Sequence, residues 1–451
     1  VTAGTGAPPT VGEELWGPQR RAVTVGIVLL ISLVAFEAMG VGTAMPALVA
    51  DLGSVETYAW PFVAFIAAMV VGTVVAGRCC DRAGPRVPLV LGPLVFGLGL
   101  VVAGTAPKMT LLLGGRVLQG LGAGALGVSV YVLIARVYPS PARPAVFALL
   151  SAAWVLPSLV GPPVAGLVTD RWSWHWVFLG LLPLVVLAAA LVAPMAARQQ
   201  PPASPAPRRP GLVPAALASA GGISALTWAG EDPRGVRLVV AVAGAAALVV
   251  FVRRLLPPGT PRARPGIAAV VAGRWLMSGA FFTAVAYLPL SLTDTHGWSL
   301  TAAGMPLVAG SLAWSAASAW QGRRPELSRS VLLRVAFALL AAGLAGLLLV
   351  VPAWGVPWAA LPAMTLAGLG MGLGFSSLSY LLLQESPPED VGFNSSSTQL
   401  SDQLSQACFV ALGGILLALL VTPTALSALV VVLVGLACLG WVLSPRTHSA
   451  R

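Results

Sequence analysis

Glu37 stands in the stretch LVAFEAMGVG, inside an apolar run that reaches from Ala22 to Val49. A charged group near the centre of a bilayer costs at least ~2.5 kcal/mol, and such groups mark pathways or relays. Two further charges share that predicament: Arg116, in LLLGGRVLQGLGAGAL, and Asp402, in SSSTQLSDQLSQA. Burial favours a neutral carboxyl and a nearby guanidinium favours an ionised one, so an acid beside an arginine can act as a proton switch. A proton taken up on one side and released on the other brings ~2.3 kcal/mol per 100 mV of membrane potential.

Depth decides which charges can meet. At ~1.5 Å per residue, Glu37 lies ~21 Å from the inner edge of a ~30 Å core. Arg116 enters from the opposite edge and reaches the same level, so the count pairs these two. Asp402 is only ~9 Å from the inner edge. It shares a helical face with Gln399, Gln403 and Gln406, at i, i+3, i+4 and i+7. Such a face suits a cavity better than lipid; titration, substrate contact and gating all remain open for Asp402. A permanent ion pair that only fixes helix packing is the other reading of Glu37 and Arg116.

The elements that hold these residues follow from composition. Of 451 residues, 57% are hydrophobic and 9% charged, against roughly 25% charged in a soluble domain. Fourteen apolar runs are long enough to span a bilayer: 22–49, 58–77, 87–107, 110–135, 144–169, 174–197, 212–230, 235–252, 266–293, 298–321, 331–352, 355–384, 396–420 and 423–444. The seventh and eighth are the weakest, because the former is rich in small residues and Arg237 intrudes on the latter.

The net charge of +11 reads as topology rather than as a nucleic-acid surface. If the N-terminus is cytoplasmic, all but six of the 26 basic residues fall on the inner side, which follows the positive-inside rule. Both termini are therefore expected to be cytoplasmic, and residues 1–21 lack the apolar core of a signal peptide. The proline-rich connector 198–211 separates a six-helix unit, 22–197, from an added pair, 212–255, and a second six-helix unit, 266–444, with a tail at 445–451.

Other chemistry finds little support. Cys79, Cys80, Cys408 and Cys438 show no metal-ligand spacing, the three histidines are scattered, and no Walker sequence is present, so no metal, disulfide, nucleotide or other cofactor is expected. The serines of GLGFSSLSY, Ser376, Ser377 and Ser379, have no histidine within a confidently buried span to make a hydrolase. Trp172, Trp174 and Trp176 are expected in an outer aromatic belt.

Several stretches, in order, resemble one family. GRCCDRAGPRVPL, Gly77 to Leu89, resembles the signature loop of the major facilitator superfamily, R-x-x-Q-G at Arg116 resembles its fourth-helix motif, and GPPVAG, Gly161 to Gly166, resembles its antiporter motif with Ala165 in place of a glycine. FEAMGVGTAMPALVADL and YLPLSLTDTHGWSLTAAG are similar to the fourteen-helix drug:proton antiporters, with Glu37 where many members carry aspartate.

The resemblance implies an all-α polytopic fold of two six-helix bundles with two extra helices between them, acting as a monomer in the plasma membrane. The proton is the coupling ion, with Glu37, Arg116 and Asp402 as the coupling residues, and small lipophilic cations or drugs are exported. A dedicated exporter of one endogenous metabolite or lipid is the alternative. The excess of arginine over lysine suggests a GC-rich bacterial genome.

The resemblance also implies a central cavity. Candidate contacts are Glu37, Phe65, Trp154, Tyr287, Trp314, Phe375 and Gln403, whose aromatic members could hold apolar or cationic molecules. In the signature loop, Gly77 and Gly84 permit a tight turn, and Asp81, among Arg82 and Arg86, can accept hydrogen bonds. The expected partner is the start of span thirteen, where Asn394 and Ser395 look like caps, and the resemblance makes that contact a latch on the cytoplasmic side. Pro157, Gly161, Pro162 and Gly166 suit a helix that bends and slides against a neighbour. Gly120, Gly124 and Gly127 share a face of span four with Arg116 and Gln119.

Overall fold

The computed structural model describes residues 15–18, 20–53, 55–139, 142–201, 211–231, 235–324, 327–387 and 391–447. The expected positions 202–210 of the connector, and most of both tails, lie outside the described residues. Fourteen long helices follow one another, with no strand among the described residues. They are α1 (Arg21–Leu52), α2 (Trp60–Ala83), α3 (Arg86–Gly104), α4 (Met109–Val137), α5 (Arg143–Arg171), α6 (His175–Ala197, with a break after Leu179), α7 (Leu212–Gly230), α8 (Val236–Leu255), α9 (Ile267–Leu290), α10 (Leu300–Gly322), α11 (Arg329–Gly346), α12 (Ala360–Glu385), α13 (Val391–Leu419) and α14 (Thr422–Leu443). Thirteen are long and apolar enough to cross a membrane, and α5, with 29 residues, has the length of a fourteenth span.

The main packing of the first six helices recurs in the last six. Helix α1 packs on α5 and α6, and α4 packs on both α2 and α3; correspondingly α9 packs on α13 and α14, and α12 on α10 and α11. Glycines explain the close approach. A Cβ on Gly120 or Gly124 would collide with the α2 backbone at Phe65 and Met69, and one on Gly122 would stand 2.6 Å from the amide nitrogen of Phe96 on α3. In α12, Gly368 and Gly372 meet the backbone of α10 at Gly310 and Trp314, while a Cβ on Gly370 would sit 2.6 Å from the Ala336 carbonyl on α11. Gly127, on the same face, does not share this packing, because among the described residues a Cβ there would meet nothing within 4 Å.

The halves meet chiefly through α5 with α10, α2 with α13, and α1 with α9. Most of their close contacts lie toward the end remote from the arginine-rich loops. Gly166 abuts Thr301, with a would-be Cβ 2.7 Å from its amide nitrogen, and Pro162 packs against Gly304. Asp170, at the end of α5, accepts from the Thr301 amide (3.1 Å) and hydroxyl (2.7 Å) in the first turn of α10. Helix α7 rests on both α2 and α13, whereas α8 packs mainly on α7, through Gly222 and Gly244, and exposes the rest of its surface.

Candidate functional site

Glu37 lies near the middle of the 32-residue α1 and is fully buried. The surrounding turns explain how: α1 is apolar on nearly every side, and α4 brings Arg116 against it, close to the glycine face that seats α4 on α2. Arg116 Nη1 donates to Glu37 Oε1, and the same nitrogen reaches Gln119 Oε1 at 3.1 Å. Its Nε donates to the Pro61 carbonyl at 2.9 Å, and its guanidinium carbon stands 4.4 Å from the centroid of the Phe65 ring. The donors of Arg116 are therefore shared between two helices and the acid. Glu37 Oε2 and Gln119 Nε2 are buried with no hydrogen-bond partner among the described residues.

The second acid has a partner that the sequence reading did not assign. Arg274, on α9, holds Asp402 of α13 through Nε at 3.1 Å and through a second contact from Nη2. Ser278 Oγ also donates to Asp402 Oδ1 at 2.6 Å. Arg274 Nη1 donates to Ser379 Oγ at 3.0 Å, and its guanidinium carbon lies 3.3 Å from the Phe375 centroid. Gln399, Asp402, Gln403 and Gln406 are all partly buried, so the glutamine face is neither lipid surface nor sealed core. Gln403 Nε2 reaches Thr73 Oγ1 on α2 at 3.4 Å, and its Oε1 is buried without a partner.

The other candidates divide. Trp314 joins Phe281, Phe282 and Phe375 in a cluster with centroids 5.3–6.0 Å apart. Trp154 is exposed. Tyr287 is buried between α9 and α13, where its hydroxyl donates to the Val410 carbonyl at 2.6 Å. Trp174 departs from the expected belt: it is buried and donates to Asp51 at 3.0 Å, while Trp172 and Trp176 are exposed. The serine cluster serves packing, since Ser376 donates to Ser318 and Ser377 to Gln321, both on α10.

Among the described residues, no hydrogen bond joins Asp81 to Asn394, the expected contact. Helix α13 is already under way at Val391, so Asn394 sits within its helical turns, and its amide donates to Ser386 at 3.0 Å. Asp81, Arg82 and Arg86 are exposed around Gly84, whose φ of 79° is the left-handed turn expected there. Arg136 reaches across this loop to the Gln200 carbonyl at 2.6 Å. Gly77 has only Val128 nearby. In the antiporter motif, α5 remains helical through Pro157 and Pro162; Gly161 faces α1 near Phe36 and Met39, and Pro162 and Gly166 face α10.

Comparison with known proteins follows the same lines. The family model described as Major Facilitator Superfamily matches residues 27–409. An uncharacterized MFS-type transporter of Mycobacterium tuberculosis is 30% identical over 416 residues, which is 87% of this chain and 59% of that protein. The chain thus spans about three-fifths of that relative's length. Multidrug resistance protein 3 of Bacillus subtilis is 32% identical over 37% of the chain and 33% of its own length. An efflux pump of Aspergillus brasiliensis is 27% identical over 80% of the chain and 68% of its own. A solved POT family transporter in complex with 5-aminolevulinic acid shares the fold, with a TM-score of 0.66 at 12% identity, covering 94% of this chain and 97% of that one.

Proposed function

This chain belongs to the Major Facilitator Superfamily, and from that premise we propose that it exports small lipophilic, chiefly cationic compounds in exchange for protons by alternating access. One observation carries the reading. Glu37 is fully buried, with one carboxylate oxygen held by Arg116 and the other bare of any donor among the described residues. That second oxygen is the atom on which a proton would sit. Protonation removes the charge that Arg116 neutralises, and a lipophilic cation reaching the same carboxylate would compete for it, so proton and substrate occupy Glu37 in turn. Buried ionisable groups in spanning helices commonly serve such relays.

The aromatic surfaces of Phe65, Trp314 and Phe375 would receive the apolar body of the substrate, with Trp154 and Gln403 at its margin. Asp402 supplies the second-half charge, committed to Arg274 and Ser278. The halves join at the end remote from the arginine-rich loops, so the site would open toward those loops. With them in the cytoplasm, this is the state that loads substrate for export. The setting we infer is a bacterial plasma membrane, with both termini inside, a single copy as the working unit and no cofactor besides the proton. Relatives named as multidrug and efflux transporters support the substrate class.

The test is export into vesicles under an imposed pH gradient, against a panel of cationic, neutral and anionic compounds. Glu37→Gln is expected to keep substrate exchange and lose uphill, gradient-driven export. Unaltered proton coupling in that variant would overturn the reading.

A further inference from the structure

Four consecutive residues, Tyr58 to Pro61, connect the buried ion pair with α9, α13 and the end of α7. Tyr58 is buried and crosses to the other half: its hydroxyl donates to the Ala286 carbonyl of α9 at 2.9 Å, and its ring lies 5.2 Å from that of Tyr287. Ala59 fills the space over Gly414 of α13, leaving no room for a side chain there. The Trp60 indole nitrogen donates to Glu231 Oε1, at the end of α7, at 2.6 Å. The Pro61 carbonyl accepts from Arg116 Nε at 2.9 Å, and Arg116 holds Glu37.

From this juxtaposition we infer that residues 58–61 are the positioning element through which the Glu37–Arg116 pair holds the two halves closed at the end remote from the arginine-rich loops. The inference rests on the proposed proton-coupled cycle and adds the part that transmits it. While Glu37 is ionised, Arg116 is fixed between it and Pro61, and the first turn of α2 keeps Tyr58 and Ala59 seated on α9 and α13. A proton or a cation on Glu37 frees Arg116, and the turn loses its anchor. An empty, ionised carrier is thereby kept from changing sides, which is what strict exchange requires.

Among the described residues, Arg116 is the charged group in contact with Glu37. The remaining elements packed on α1 present few titratable groups: the turn 55–57 carries Glu56, and α4 carries Tyr131 and Arg136 besides Arg116. Those of α5 lie at its ends, Arg143, Asp170 and Arg171; α6 carries His175 at its start; α9 carries Arg274, paired with Asp402, and Tyr287, bonded to Val410; α10 carries none. Glu37 and Arg116 are thus the charged pair that reaches the contact through Pro61, while Glu231 meets Trp60 from the end of α7.

The experiment is amide hydrogen exchange on the full chain in lipid nanodiscs at fixed pH, comparing Glu37→Gln, Tyr58→Phe and the double variant. Glu37→Gln, far along α1 from the contact, is expected to speed exchange at 286–292 and 410–416 by about fivefold, the scale of losing one hydrogen bond. Tyr58→Phe is expected to do the same, and the double variant no more than either, because both release one element. Unchanged exchange at those segments in Glu37→Gln, or effects that multiply in the double variant, would overturn the inference. This readout involves no transport, so a missing exchange response in a protein whose export still depends on Glu37 defeats the linkage alone. A normal exchange response without proton-driven export defeats the proposed function alone.

Discussion

Helices α4 and α12 are built on the same backbone device and carry opposite cargo. Each has the sequence G-L-G-x-G, at Gly120 to Gly124 and Gly368 to Gly372, and each uses the outer glycines against one neighbour and the middle one against another. Four residues before the first glycine, α4 has Arg116 and α12 has Met364; one residue before it, α4 has Gln119 and α12 has Ala367. The second half obtains its buried arginine from α9 instead, and Asp402 answers it from α13. The two ion pairs also differ in how they are finished. Asp402 receives Arg274 and Ser278 and is partly exposed, whereas Glu37, among the described residues, receives Arg116 alone, is sealed, and keeps one oxygen unpartnered. Shared scaffolding with unequal charge placement gives one half a pair with every contact of its acid shared and the other a sealed pair with one oxygen bare among the described residues.

The strongest challenge to this contrast is to make α4 resemble α12. Arg116→Met leaves Glu37 buried without its cation, and breaking a buried pair in this way typically costs about 3–5 kcal/mol. The expected result is a large fall in thermal stability together with loss of gradient-driven export. Adding Glu37→Gln should restore most of the stability and none of the export, read by unfolding in detergent and by vesicle transport.

Next in size is Asp402→Asn. Arg274 then keeps Ser379 and the Phe375 carbonyl as acceptors but loses its counter-charge, so destabilisation of about 1–3 kcal/mol is expected, with export weakened and still driven by the pH gradient. If this variant uncouples export as completely as Glu37→Gln does, the two pairs are functionally equal and the contrast collapses.

How much of this the sequence discloses depends on whether an argument is local or spatial. Span positions came within a few residues, because apolar length is set by the bilayer and is written continuously along the chain. Glu37 and Arg116 could be matched by counting depth. The same count applied to Arg274, close to the inner edge, would have matched it to Asp402; the signal was there and went unread. So was the repeated G-L-G-x-G. The contact expected of Asn394 was not legible, since Asn and Ser read as caps locally while the helix starts earlier. A tryptophan near a span end is ambiguous, so Trp174 reads as a belt residue until Asp51 is seen to meet it. The meetings of Tyr58 with Ala286 and of Ala59 with Gly414 arise only from tertiary packing and leave no spacing to detect.

A smaller effect sharpens the equality of the scaffolds. Gly122→Ala and Gly370→Ala each force a methyl against a neighbouring backbone, at a cost of about 1–3 kcal/mol. Matching losses of thermal stability are expected, and a large loss in one alone would show that the two helices are not seated alike. The smallest effect concerns the rings under the arginines. Phe65→Leu and Phe375→Leu each remove a cation–π contact worth about 0.5–2 kcal/mol. Phe65→Leu should also shift the pH midpoint of export, whereas Phe375→Leu should lower apparent substrate affinity without moving it; transport measured across a pH series separates the two.

The glycines of α4 and α12 have one more consequence. Where main chain rests directly on main chain, no layer of rotatable groups remains to absorb a displacement. The trio α2, α3 and α4, and likewise α10, α11 and α12, should then turn as stiff levers. A sub-ångström nudge at the buried acid would reach the far rim of the molecule undamped, and slack would be confined to the seams where the proline-bearing α5 slides on α10.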